Sequence, residues 1–145
     1  MKKTYSGIYK VEHPQMYKGN VDNVEFRSSW EKACFKWLDG NSKVEWWASE
    51  EFVVPYYYDV DKKMHRYFVD LSIKWKNGKL MLIEVKPKKQ TKPPKEPQRK
   101  TKRYLNEVKT WGVNSSKWKY AVEWCENNGM EFQILTEDDL GIRYK

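Results

Sequence analysis

The sequence predicts an α/β fold in which helices flank a mixed β-sheet, and three observations carry that expectation. Arg66–Lys86, RYFVDLSIKWKNGKLMLIEVK, reads as a β-hairpin of apolar strands around Asn77-Gly78. Helical spacing of apolar residues follows Ser28. A strand at Glu131–Leu135 comes after a long helical region, and a strand–helix–strand crossover is right-handed, so this last strand should run parallel to the one holding Glu84.

Taken in order, residues 1–23 are polar with scattered tyrosines, and read as an extended N-terminal arm lying on the surface. Residues 24–145 form the domain. Ser28 and Glu31 have the spacing of a helix capping box. Trp30, Cys34, Trp37 and Leu38 then form the expected buried stripe, and Asp39-Gly40-Asn41 ends the helix. Short strands are expected at Lys43–Trp47 and Phe52–Tyr58. The second is joined through the polar run Asp59–Lys63 to an antiparallel strand that begins near His65 and continues to Trp75.

The register of the central hairpin can be worked out. A two-residue Asn77-Gly78 turn would oppose Asp70 to Val85 and send Asp70 and Glu84 to opposite faces. A three-residue loop, Lys76-Asn77-Gly78 with Gly78 left-handed, opposes Asp70 to Glu84 and Phe68 to Lys86. It also gathers Val69, Leu71 and Ile73 with Met81, Ile83 and Val85 on one apolar face. The hydrophobic pattern and the charges favour the same register.

From Pro87 to Arg103 the chain is lysine-rich, with four prolines and one acid, Glu96. It reads as a loop too polar to form a core, either a solvated linker or a phosphate-binding lip that leaves from Lys86. Two helices are expected next. The first spans about residues 99–111, with Tyr104, Leu105, Val108 and Trp111 inward. The second is capped at Ser115 or Ser116, carries Trp118, Ala121, Val122 and Cys125, and ends at Asn128-Gly129. After the last strand, Thr136 caps a final turn through Leu140.

The chain of 145 residues suffices for one domain with a core, and eight Trp, ten Tyr and five Phe argue for a packed one. Its formal net charge of +8 favours a polyanionic partner, nucleic acid first. Cys34 and Cys125 fall in apolar helical patterns and read as buried free thiols. The distance between His13 and His65 in sequence argues against a zinc site. No stretch approaches the ~18 apolar residues of a membrane span, and the N-terminus lacks the apolar segment of a secretory signal.

Charges inside apolar strands cost several kcal/mol unless they are paired or bind a metal. Asp70 and Glu84 on neighbouring strands would suit Mg²⁺, which takes oxygen ligands and keeps several waters; the Val85 carbonyl is a further candidate ligand. Such an ion activates water against a phosphodiester. Lys86, two residues from Glu84, would orient that water or stabilise the transition state. Glu31 is either a helix cap or a third carboxylate of the site. His65 and Arg66, and Lys88 and Lys89, are candidate phosphate contacts. A non-catalytic DNA-binding protein on the same fold would share the charge and the basic loop. An RNA-binding module that uses the aromatics is disfavoured, because the tryptophans fall on helical stripes and no RNP-like motif is present.

Glu31 in a leading helix, then Asp70, then Glu84-Val85-Lys86, resembles the PD-(D/E)xK nuclease superfamily, with Val69 in place of its proline. RSSWEKACFKWLD, VVPYYYDVDKKMHRYFVDL, IEVKPKKQTKPP, NEVKTWGVNSSKW and GMEFQILTEDDL resemble more closely the head completion nucleases of tailed bacteriophages. That family is similar in turn to a transposase endonuclease subunit. The resemblance spans about residues 24–140. It implies a restriction-endonuclease-like fold and a Mg²⁺-dependent DNA nuclease, with Mn²⁺ as an alternative ion, acting endo- and exonucleolytically when filled heads are prepared for tail joining. It also implies phage head or portal-neck proteins as partners, and action in the host cytoplasm or in the virion; its alternative is a non-catalytic DNA-binding or head-plugging assembly protein on a nuclease fold. Glu31, Asp70 and Glu84 would be the metal-site acids and Lys86 the catalytic lysine.

Overall fold

The computed structural model describes residues 6–139. Its centre is a four-stranded sheet ordered β3 (Val44–Ser49), β6 (Leu71–Trp75), β7 (Leu80–Val85) and β8 (Glu131–Leu135). β3, β6 and β7 pair antiparallel and β8 joins β7 in parallel, as the crossover rule requires. Around it stand β1 (Gly7–Ile8) paired with β2 (Glu25–Phe26), helix α1 (Ser29–Leu38), the hairpin β4 (Val53–Tyr58)–β5 (Lys63–Phe68), and helix α2 (Lys102–Asn127). The fold is α/β, with a mixed sheet between helices.

Both faces of this sheet are covered. Along β7, Ile83 and Val85 enter one core with α1, Leu71, Ile73, Val44 and Trp47. Leu82 enters the other with Trp118, Ala121 and Cys125 of α2 and Val54, Tyr56 and Tyr67 of β4–β5. The β6–β7 register is the one the three-residue loop demands: Leu71 opposes Ile83, Ile73 opposes Met81, and the next step outward sets Asp70 opposite Glu84. Gly78 turns the loop at φ +92°, and Trp75 and Lys79 close it with a 2.9 Å hydrogen bond.

Several expectations differ from the structure. The strand expected to run unbroken from His65 to Trp75 is two strands, because it changes partners: β5 pairs with β4, and β6 with β3 and β7. At the break, Val69 N–H donates to the Phe52 carbonyl and the Asp70 carbonyl accepts from Glu50 N–H. The chain turns over there, so Tyr67 and Val69 join the α2 core while Leu71 and Ile73, of the same parity, join the other. Val69 is therefore not on the face of Leu71 and Ile73.

The two helices expected between residues 99 and 128 are the single helix α2. Ser115 and Ser116 do not cap it; their hydroxyls donate back to the Gly112 carbonyl at 3.2 and 2.9 Å, so the residues that read as a break are satisfied inside the helix. Leu105, Val108 and Val122 are exposed, and Asn114, Trp118, Ala121 and Cys125 form the buried stripe. In α1, Phe35 is buried in place of Trp37, which lies outside with its ring edge on Trp75.

In the segment read as a surface arm, the described residues contribute to the core. Tyr9 and Tyr17 pack on Trp47, which Phe35 meets from α1, and Val11, Val24 and Phe26 are buried beside them. Polar ties fix it: the Asp39 carboxylate accepts from the Tyr9 hydroxyl (2.8 Å) and from the backbone N–H groups of Glu12 (2.7 Å) and His13 (3.0 Å), and His13 Nδ1 lies 3.2 Å away. Thr136 N–H and hydroxyl bond Asp139, while Leu140 lies outside the described residues.

Candidate active site

The two carboxylates of the hairpin lie where the sheet opens beside the strand break. Asp70 ends the turn-over segment, and its Oδ2 accepts a 2.8 Å hydrogen bond from Val85 N–H on the neighbouring strand. Glu84 sits on the α2 face of β7 and is 5 % exposed. Its Oε2 accepts from the Tyr67 hydroxyl, and its Oε1 lies 3.6 Å from Lys86 Nζ. Asp70, Glu84, Lys86, Tyr67, Arg66, Arg27, Glu50 and Lys117 all line one cleft of about 650 Å³. Asp70 and Glu84 thus open on the same side.

The electrostatics of the cleft are those of acids held together against their repulsion. Burial, then the charge of Glu84 and more weakly that of Glu31, push the Asp70 carboxyl well above the usual carboxylate range; Val85 N–H and Lys86 oppose the shift. Burial raises Glu31 as well, with Glu50 and Glu84 adding to the rise. The Tyr67 hydroxyl is driven up by burial and by Glu84, which keeps it a donor. A cation in this cleft would relieve all of these.

Glu31 both caps its helix and shares the field of the site. Its N–H bonds Ser28 Oγ at 3.1 Å, and its Oε1 accepts from Arg27 N–H at 3.2 Å. One carboxylate oxygen is thereby committed to the helix start. Its charge is felt at Asp70. Among the described residues no three His, Cys, Asp or Glu side chains already surround one point as a metal cage would. The Val85 side chain is in the core, and its backbone stands between Glu84 and Lys86.

The candidate phosphate contacts part company. Arg66 lines the cleft, its guanidinium 5.7 Å from the Phe68 ring. His65 lies away from it, bonded to Asp61 at 2.6 Å and stacked on Tyr56 near the β4–β5 turn. Period-2 alternation puts these neighbours on opposite faces of β5. Lys88 is held by the turn after β8: its N–H bonds Glu137 (2.6 Å) and its Nζ bonds Asp138 (3.0 Å). Lys89 faces a second groove of about 890 Å³, walled by Lys92, Pro93, Pro94 and Lys95 of the basic loop and by Lys102, Arg103 and Trp111 of α2.

Tyr67, Lys117, Arg27 and Glu50 were not legible as site residues. Lys117 left one trace: it lies three residues after Asn114 and four before Ala121, on the flank of the inward stripe of α2. Glu50 has φ +55° and pairs with Arg27 at 3.0 Å, and nothing in its neighbours announces either fact.

The comparisons with known proteins agree with this fold. The family model described as TnsA-like endonuclease N terminal matches residues 41–137, which include β3 to β8 and therefore Asp70, Glu84 and Lys86. The chain is 43 % identical over 140 residues to the head completion nuclease of Enterobacteria phage T4, covering 94 % of this chain and 93 % of that protein. With a restriction-endonuclease-like sheet and an acid–acid–lysine cleft at its edge, the chain belongs to the TnsA-like endonuclease N-terminal family.

Proposed function

We propose that this protein is a divalent-metal-dependent DNA nuclease that hydrolyses phosphodiester bonds both within strands and from ends. The observation that carries the reading is the single cleft shared by Asp70, Glu84 and Lys86. The donor set fits Mg²⁺ or Mn²⁺: two hard carboxylates, one just before β6 and one on β7, so close that Glu84 disfavours the charge of Asp70, suit an ion that fills the rest of its shell with water. Asp70 and Glu84 would hold it, with the Val85 carbonyl and Glu31 as further oxygen donors. When bound, it would supply neutralisation of the phosphate charge and a more acidic water.

The protein's own groups do the remainder. The Tyr67 hydroxyl occupies Glu84 Oε2 and leaves Oε1 toward Lys86. The Lys86 ammonium, partly withdrawn from water, donates to the water or to a phosphate oxygen as charge builds on phosphorus. Arg66 at the rim and Lys89 with the loop lysines track the DNA backbone. His65 and Lys88 would contact only flanking phosphates, since each has an acidic partner. The relative's name connects it with head completion, and we assign this chain the same role. It would act in the host cytoplasm on filled phage heads before tail joining, with head or neck proteins as partners.

The test is incubation with supercoiled plasmid and with end-labelled linear DNA, in Mg²⁺, Mn²⁺ or EDTA. Wild type should cleave both with metal and neither with EDTA. Lys86→Ala and Glu84→Ala should each lose about 10²–10⁴-fold in rate. Cleavage that persists in EDTA or survives both substitutions overturns the assignment. Tight binding without cleavage on any substrate would instead favour the DNA-binding, head-plugging reading.

A further inference from the structure

The cations of the cleft are not equivalent. Lys86 stands by Glu84 and Arg27 by Glu50. Lys117 reaches the same cleft from the opposite element, α2, and no described carboxylate lies within ion-pair distance of it. Its ammonium is instead seated over the Tyr67 ring, 5.5 Å from the centroid. It is half-buried. A cation drawn partly out of water, with an aromatic face beneath it and no acid beside it, is set to receive an anion from the open side.

We propose that Lys117 is a phosphate-binding residue of this cleft and that Tyr67 is the positioning residue which aligns it with the acids. The Tyr67 ring carries Lys117 while its hydroxyl holds Glu84 Oε2, so one buried side chain sets the distance between a phosphate contact on α2 and a carboxylate on β7. Lys117 and Lys86 then approach the bound phosphodiester from two elements. This also gives a reason for a half-buried lysine beside the inward stripe of α2.

The inference takes its substrate from the nuclease reading, and the experiment keeps the two apart. Binding of a fluorescent duplex is followed by anisotropy in EDTA across a salt series, for wild type, Lys117→Ala, Lys117→Arg, Tyr67→Phe and Tyr67→Leu, each checked by thermal melting. Loss of one phosphate contact should flatten the slope of log K against log salt by about 0.9 in Lys117→Ala. Lys117→Arg and Tyr67→Phe should keep the wild-type slope, the first because it keeps the charge and the second because it keeps the ring. Tyr67→Leu should lose it. In Mg²⁺, Tyr67→Phe should lower kcat with little change in KM, because only the hold on Glu84 is gone. A wild-type slope in Lys117→Ala overturns the proposal, as does an equal loss in Lys117→Arg. A wild type that binds but never cleaves defeats the nuclease reading, and the slopes still decide on Lys117.

Discussion

Asp39 and Asp70 are the same side chain in opposite circumstances. Asp39, at the end of α1, has three firm donors and an imidazole around it. Burial would raise its pKa, but those hydrogen bonds overcome it and hold the carboxyl below its usual range. Asp70, at the cleft, has one backbone donor and two acidic neighbours, and is pushed up. The first carboxylate is fully served by its own chain and binds the N-terminal segment to the domain. The second is under-served, and its charge waits for a partner from outside. A satisfied carboxylate contributes to stability, whereas a frustrated one marks a site.

The contrast can be broken most sharply at Asp70. Asp70→Asn should reduce cleavage by at least about 10²-fold while raising the melting temperature in EDTA at pH 8 by roughly 2–5 °C, since a repelled charge is removed. A cleavage assay and a melt on one sample would show whether the two effects oppose each other. Asp39→Ala should do the reverse. Loss of hydrogen bonds to a charged group costs about 1.5–3 kcal/mol, or roughly 5–10 °C, with cleavage per folded molecule unchanged; calorimetry at constant pH reads this.

The pH dependences should also have opposite signs. Asp70 binds its proton more tightly folded than unfolded, so its contribution to stability falls as pH rises from the ordinary carboxylate range through its raised value. Asp39 binds its proton less tightly folded, so its contribution is present above the ordinary value and is lost as pH falls through the depressed one. Melting in EDTA from pH 3 to 9 should therefore lose its alkaline decline in Asp70→Asn and part of its acid decline in Asp39→Ala. The smallest effect is at Gly40. It has φ +81°, and a Cβ there would lie 2.6 Å from the His13 ring, so Gly40→Ala should cost about 1 kcal/mol or somewhat more. A loss as large as that of Asp39→Ala would mean the His13 contact, not the carboxylate, binds the segment.

What could be read in advance divides along the same line. The β6–β7 register was legible because turn chemistry at Gly78 and the alternation of Leu71, Ile73, Ile83 and Val85 are local and agree. The cap at Ser28 and the parallel β8 were legible for similar reasons. The break at Asp70 was not, because the change of strand partners depends on where β4 lies, and residues 65–75 have strand-like alternation throughout. The single α2 was missed because Gly112 and two serines weaken a helix locally, while Trp118, Ala121 and Cys125 pack it against β4 and β8.

By itself, the sequence determined that a carboxylate on each of two strands, with a lysine two residues on, would meet at one end of a hairpin. Alternation and one left-handed glycine suffice for that, since both act over a few residues. Only the tertiary structure decided what surrounds those groups. Tyr67 beneath Lys117 and Arg27 against Glu50 come from elements far apart in the chain. Their meeting depends on the packing of two cores on a twisted sheet, which no local pattern encodes.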